Sequence, residues 1–257
     1  MNTFKHKAFL LPATAGLLLA LAGCGGAAEA PTPTQAAGSA TSQAAPPSAA
    51  PLTVPDAKEI FAKVNETVKS ATSVSIVGDM RRGSETVKIK ISGNRNGSNS
   101  LAEMTKEGAT STMLTADGGS YLKADKKFFT QNVGQESAAA VEALVGGKWI
   151  LVADASKFGT FSVASLMDSF SANGLEAADL GTITDKSVVE LNGTKAFKYT
   201  AQEATLWIAA EGAPFLLQMQ PQDSTGGDTG TITFSEWNSV APHAAPAKDE
   251  TVSIPGL

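Results

Sequence analysis

Few side chains of this sequence combine in patterns that could catalyse a reaction. Ser120 and Lys123 have the Ser-x-x-Lys spacing of some acyl-enzyme hydrolases, which place both side chains on one face of a helix. The surrounding residues predict a strand, where an offset of three puts two side chains on opposite faces. The segment from Asp223 to Asp228 lacks the alternating acidic ligands and the terminal glutamate of an EF-hand loop, so a solvated turn is expected there. Neither pattern predicts a site.

Histidine and cysteine are almost absent. The chain has two histidines and one cysteine, and His243 lies in a Pro/Ala-rich stretch that predicts a loop. Most nucleophilic and zinc-dependent hydrolases use a histidine base, a histidine ligand or a reactive cysteine. We therefore expect that the protein is not an enzyme, and the sequence predicts no catalytic residue, no metal site and no cofactor.

The single cysteine, Cys24, is the residue with the clearest chemical role. Two lysines precede an apolar run from Ala8 to Leu21. This run has the length of a signal-peptide core and is too short to span a bilayer. It ends in Leu-Ala-Gly-Cys at positions 21–24, which resembles the lipobox of bacterial lipoproteins. In that motif small residues enter the peptidase cleft, and the cysteine thiolate accepts a diacylglyceryl group.

The lipobox resemblance and the composition of the residues after it together predict three segments. Residues 1–23 are a cleaved signal peptide, residues 24–55 hold the lipidated Cys24 and a disordered Ala/Pro/Ser/Thr-rich tether, and residues 56–257 form the folded domain. The lipidated cysteine would anchor the protein to the extracytoplasmic face of the cell membrane, since two acyl chains hold stably where one is marginal. A tether of this length reaches about 30 Å.

The charge of the mature chain excludes one class of partner. Removing Lys5 and Lys7 leaves 18 basic and 25 acidic side chains, a formal charge of −7. A nucleic-acid-binding surface needs a basic patch, so we expect no nucleic-acid partner. With Cys24 lipidated, no thiol remains for a disulfide, and stability must come from one hydrophobic core.

The domain is predicted to begin with a helix and continue as strands. Asp56 followed by Glu59 has the spacing of a capping box, and the apolar residues up to Ala71 recur at helical spacing. From Ser73 the period changes to two, as in a half-buried antiparallel strand. The pair at positions 128–129 also marks a strand in this interpretation.

The second half of the domain repeats this order. Two short helices are predicted, from Ala138 to Val145 and from Val163 to Phe170. Hairpins with turns at positions 192–193 and 211–212 follow, and the last strand is expected at Thr231–Trp237. The predicted fold is α+β: a large curved antiparallel half-barrel of about 10–11 strands with about three helices on its concave face.

This order resembles the LolA-like lipoprotein carrier fold, and specifically the actinobacterial LppX/LprA/LprF/LprG-type lipoproteins. Turn glycines and core aromatics carry the resemblance: the helix Asp56–Ser70, Gly118–Lys123, Phe128-Phe129, Gly147–Ile150, Asn192–Tyr199, Leu206–Ile208, Pro214-Phe215 and Phe234–Asn238. The resemblance implies a hydrophobic cavity between sheet and helices that holds the acyl chains of a lipid or glycolipid. It implies no catalytic residue.

Two apolar helix faces are the predicted cavity wall: Ile60, Phe61, Val64, Val68, Val163, Leu166, Met167 and Phe170. The same positions fit a solid core, because the sequence does not distinguish a filled core from an open one.

Three functions stay open at this point. The first is binding or carrying lipid. The second is an envelope sensor or interaction module on the same fold, with no bound lipid and an envelope transport or signalling protein as partner. The third is the solute-binding lipoprotein of an ABC importer, which the hairpin series disfavours because such proteins have two lobes with βαβ alternation.

Overall fold

The computed structural model describes residues 52–153, 162–222 and 228–254. The predicted signal peptide, Cys24 and almost all of the predicted tether lie outside these ranges, as do positions 223–227 of the rejected calcium loop.

Within the described residues, twelve strands form one open curved sheet. Its order is β12-β6-β5-β4-β3-β2-β1-β11-β10-β9-β8-β7, and the neighbours are antiparallel except for the parallel pair β12 and β6. The strands are β1 Ser73–Arg82, β2 Glu85–Asn94, β3 Ser100–Lys106, β4 Ala109–Ala116, β5 Gly119–Ala124, β6 Trp149–Leu151, β7 Ile183–Leu191, β8 Thr194–Ala201, β9 Ala204–Ala209, β10 Leu216–Pro221, β11 Asp228–Ser235 and β12 Thr251–Ser253.

Four α-helices occur in the same described ranges: α1 Ala57–Ser70, α2 Lys126–Val133, α3 Gln135–Val145 and α4 Val163–Asn173. The α+β fold class is thus confirmed, with one strand and one helix more than the approximate expectation.

The helices share one face of the sheet, which we call the inner face. Strand register defines it, because side chains directly opposite each other on neighbouring strands lie on the same side. One row across the inner face runs from β1 to β12 and consists of Ile76, Ile91, Ala102, Met113, Leu122, Ile150 and Val252. The alternate residues form the outer face.

Two separate hydrophobic clusters fill the space over this face. The first joins α1 and α4 to β1–β3 and β8–β11, and the second joins α2 and α3 to β5, β6 and β12. Helix α1 packs on α4, and α2 packs on α3. The helical layer therefore consists of two pairs, each with its own core.

Helix α1 is held at both ends. Asp56 caps its start, accepting a hydrogen bond from the backbone N–H of Lys58 at 3.0 Å. The prediction that Glu59 completes a capping box is wrong, because its carboxylate pairs with Lys63, one turn later, at 2.6 Å. At the other end the carbonyl of Val68 accepts from the Arg95 guanidinium at 2.9 Å and from the backbone N–H of Ala71 at 3.3 Å.

The strand expected at Phe128-Phe129 is wrong, since both residues lie in α2. Asp125 caps this helix, and its Oδ1 accepts the backbone N–H of Phe128 at 2.8 Å. Phe129 is buried against the second cluster, and its ring meets that of Phe128 edge to face. Two adjacent aromatics favour a strand, but the cap and the apolar space beside α3 favour the helix.

The C-terminal segment ends differently from the prediction as well. The strand expected at Thr231–Trp237 begins earlier and stops at Ser235. After it, the chain returns to the start of β1, where the backbone N–H of Val240 donates to Ser73 Oγ at 3.2 Å. It continues past the β2–β3 turn to the far edge of the sheet, where β12 pairs with β6. Short strands of this kind, remote from their partner in sequence, leave little periodic signal.

Candidate functional site

The eight predicted wall residues come together in the structure. All belong to the first cluster, in which six are buried and two, Leu166 and Phe170, are half-buried. The helical spacing thus identified the two faces that meet the sheet. Whether they line a cavity stays a prediction.

Two open surface pockets lie away from these faces. One is on the outer face beside the β1–β2 and β3–β4 turns, lined by Thr86, Lys88 and Glu107 among others. The other lies beside the start of α1 and is lined by Asp56, Ala57 and positions 183–186. Neither lies between the inner face and the helices.

A boundary between the two clusters crosses the sheet at β3 and β4, and we call it the seam. Ala102 and Met104 on β3 pack in the first cluster, whereas Met113 on β4 packs in the second. Ala102 and Met113 are nevertheless direct cross-strand partners. Neighbouring side chains on one face thus belong to different cores, which is expected where two helix pairs meet over one sheet.

Methionines are concentrated on the inner face of the sheet. The sequence contains five after Met1, and four of them lie on the inner face: Met80, Met104, Met113 and Met219, while Met167 is on α4. The four on the sheet are half-buried. Methionine has a flexible, polarisable side chain that fills irregular space and adapts to different neighbours.

The seam carries no charge on three consecutive rows from β3 to β5. The middle row is Ala102, Met113 and Leu122; the rows on either side are Met104, Ser111 and Ala124, and Ser100, Thr115 and Ser120. Small side chains lie next to methionines on these rows of the sheet. A site built from them suits an apolar, uncharged ligand, because burial of an unpaired charge is costly.

The row Ser100–Thr115–Ser120, which we call the hydroxyl row, was missed by sequence reasoning. Serine and threonine in strands indicate neither core nor solvent by themselves. Alternation of Ser100 with the inward-facing Ala102 and Met104 was the available signal. Ser100 is only 4% exposed, and its Oγ has no hydrogen-bond partner among the residues that the structure describes.

Tyr199 sets the position of α1 over β8. Its ring meets that of Phe61 edge to face at 5.4 Å, and its hydroxyl donates to the carbonyl of Pro55 at 2.9 Å. Burial raises the pKa of Tyr199 to about 12, with smaller contributions from the carboxylates of Asp56 and Glu59. The phenol therefore stays neutral at any physiological pH and acts as a structural donor.

The rejected catalytic pair is separated as expected. Ser120 lies on the inner face, whereas Lys123 lies on the outer face with its Nζ 5.7 Å from the ring centroid of Trp149. Trp207 has the same arrangement with Lys198 at 5.9 Å. Both of these tryptophans therefore lie on the outer face, away from the two clusters. Trp237 packs against the first cluster, stacked between Phe215 and Phe234.

The described ranges contain no group of three or more histidine, cysteine or acidic side chains placed to hold a metal ion. They also contain no helix with the length and hydropathy needed to cross a membrane.

Comparisons with known proteins gave structural matches alone. No family model and no curated protein matches the chain. LprF from Mycobacterium bovis is similar with a TM-score of 0.46 and 17% identity, over 77% of this chain and 99% of that one. An uncharacterised conserved protein from Thermus thermophilus gives 0.33 and 11% over 77% and 99%. The Pseudomonas aeruginosa MucA/MucB complex gives 0.32 and 12% over 76% and 60%.

These scores carry no conclusion about function, and the fold is assigned from the arrangement itself. One open, curved, mostly antiparallel sheet bears helices on a single face, as the resemblance implied.

Proposed function

We propose that the mature protein is a lipoprotein held on the extracytoplasmic face of the membrane through Cys24, and that its domain binds or carries lipid by taking up an acyl chain at the seam. The observation that carries this proposal is the division of the apolar interior into two clusters, with half-buried Met104 and Met113 on either side. Two cores can separate along such a boundary without either being dismantled.

The energetics favour an acyl chain as the occupant. Each CH₂ group moved from water to an apolar site contributes about 0.8 kcal/mol. Opening the seam costs the dispersion contacts between the clusters, and the incoming chain replaces them with contacts of the same kind. Methionines lower the cost further, because their side chains adopt several rotamers without exposing a polar group.

The anchor and the tether support the same function. A diacylglyceryl group on Cys24 would hold the domain at a root-mean-square distance of about 30 Å from the bilayer. A carrier held at that distance meets its ligand repeatedly without losing contact with the membrane. Absence of enzymatic activity stays a prediction.

The test uses the mature chain, residues 24–257 with Cys24→Ala, purified without detergent. Organic extraction followed by mass spectrometry should recover close to one acyl lipid per chain, and a monoacylglycerol with a fluorescent acyl chain should bind the delipidated protein. Failure of both measurements would contradict lipid binding. Anchoring is tested separately, since the Cys24→Ala exchange in the full chain should abolish incorporation of labelled palmitate.

An envelope interaction module is the second candidate. It is favoured by the tight packing of the predicted wall, where Phe61 is 1% and Val64 0% exposed, and by the largely exposed edge strand β7. This alternative predicts no extracted lipid and a membrane or envelope protein cross-linked to β7. Photoreactive residues at Val188 and Glu190 would detect such a partner in intact cells.

A further inference from the structure

The hydroxyl row occupies one end of the seam. Cross-strand register places Ser100 opposite Gly93 on one side and Thr115 on the other, and Ser120 follows on β5. Gly93 has no side chain, so only the backbone of β2 lies beside Ser100. Thr115 and Ser120 are half-buried and continue the row towards β5.

Ser100 is the unusual member of this row. A hydroxyl has one donor and two acceptor positions, and a buried one almost always makes at least one hydrogen bond. Ser100 Oγ is buried without one in the part of the chain that the structure describes. An alanine at this position would fill the same space without that desolvation penalty. The hydroxyl is therefore unfavourable in the unliganded domain and needs a partner from elsewhere.

We infer that Ser100 is the donor to the ester carbonyl of an acyl lipid bound at the seam, with Thr115 and Ser120 beside the polar part of the ligand. This inference rests on the proposed function and adds the polar end of the site. The acceptor is an uncharged carbonyl, because the three seam rows contain no cation that could compensate a buried carboxylate. The acyl chain would extend over Ala102 and Met113.

The ligand pair for the test differs by the carbonyl alone. Glycerol monopalmitate carries an ester, and glycerol monohexadecyl ether has the same headgroup and chain length without the carbonyl. The reference protein is the mature chain with Cys24→Ala and no other change, and it is called wild type in this test. It should bind the ester about 3–10-fold more tightly than the ether, as expected for one net hydrogen bond. Ser100→Ala should bind both ligands equally, at the affinity of the wild type for the ether.

A control variant and a stability measurement complete the test. Ser75→Ala removes another buried serine, on the outer face of β1 and away from the seam, and it should keep the preference for the ester. Without ligand, Ser100→Ala should unfold at the same temperature as wild type or a higher one, because an unpartnered hydroxyl is lost.

The outcomes separate the two proposals. Three results would each overturn the inference and leave lipid binding intact. Wild type could bind ester and ether with equal affinity, or Ser100→Ala could keep the preference for the ester. The third is a fall of several degrees in the Tm of unliganded Ser100→Ala. If wild type binds neither ligand, the proposed function fails and the inference fails with it.

Discussion

Asn99 and His243 form a paired hydrogen bond across 144 positions of sequence. The amide of Asn99 accepts from the backbone N–H of His243 at 2.8 Å and donates to its carbonyl at 2.8 Å. The imidazole Nε2 of His243 lies 3.0 Å from Ser92 Oγ on the outer face of β2. One asparagine thus fixes the C-terminal segment to the β2–β3 turn, on its path to the far edge of the sheet.

Asn99→Ala should release this segment. Both backbone groups of His243 lose their partner, and each lost bond contributes about 0.5–1.5 kcal/mol. Hydrogen exchange should accelerate at residues 240–247 and at β12, while the amides of β1 and β2 stay protected. Asn96→Ala is the control, because its side chain caps only the local turn at Ser98. Equal exchange in both variants would show that the Asn99 pair does not hold the segment.

Tyr199→Phe should change the response of stability to alkaline pH. The folded-state pKa of Tyr199 is about 12, above the value of about 10 for an unfolded chain. A raised pKa gives stability that is complete below pH 10 and is lost as pH rises from about 10 to 12, by at most about 3 kcal/mol. Denaturant unfolding between pH 7 and 12 should show this loss in wild type.

The phenylalanine variant provides the control curve. It should lack that part of the alkaline loss, and at pH 7 it should be less stable by about 1 kcal/mol, because Pro55 loses the hydrogen bond from the phenol. Parallel curves for the two proteins over the whole range would contradict a raised pKa for Tyr199.

Gly93→Ala should destabilise the domain strongly. Gly93 has φ +153°, and a Cβ there would lie 2.7 Å from the Cα of Ser100 and closer still to the carbonyl of Asn99. Since that neighbour is backbone, β2 and β3 would have to move apart. Gly118→Ala also has positive φ, +75°, but its Cβ would meet nothing within 4 Å.

Thermal unfolding compares these two glycine variants. Gly118→Ala should cost about 1 kcal/mol from its backbone conformation alone, and Gly93→Ala several times as much. Similar costs would mean that the close approach of β2 and β3 is absent in solution.

Met104→Leu together with Met113→Leu should weaken lipid uptake while keeping the fold. These swaps nearly conserve volume and typically cost under about 1.5 kcal/mol each. Leucine adapts to a changed cavity shape less readily, so affinity for a monoacylglycerol with a fluorescent acyl chain should fall. Met219→Leu on β10, away from the seam, should bind like wild type. An unchanged affinity in the double variant would show that Met104 and Met113 do not contribute to lipid uptake.

Predictability from the sequence differed between elements. Helix α1, the strict alternation of β2 and the hairpin at Asn192-Gly193 were predicted correctly, because their period or turn chemistry is local. Helix α2 was missed, since its identity depends on the Asp125 cap and on the apolar space beside α3. Strand β12 was missed because pairing with β6, about a hundred residues earlier, sets it.

The candidate site divides in the same way. The helix faces around Phe61 and Met167 follow from spacing alone. The seam could not be predicted, because it depends on which strand lies next to which, and the hydroxyl row depends on register across three strands. Cys24 and the tether lie outside the described residues, so their roles stay proposals.

The most direct test of acyl binding at the seam is photo-cross-linking with a monoacylglycerol whose acyl chain carries a diazirine near its terminal methyl group. Delipidated mature chain bearing Cys24→Ala would be irradiated with one equivalent, and the adducts mapped by peptide mass spectrometry. We expect adducts in β3 and β4, around Ala102 and Met113, and their loss on competition with the unlabelled monoacylglycerol. Adducts confined to the outer face or to β7, or labelling that does not respond to the competitor, would contradict the account.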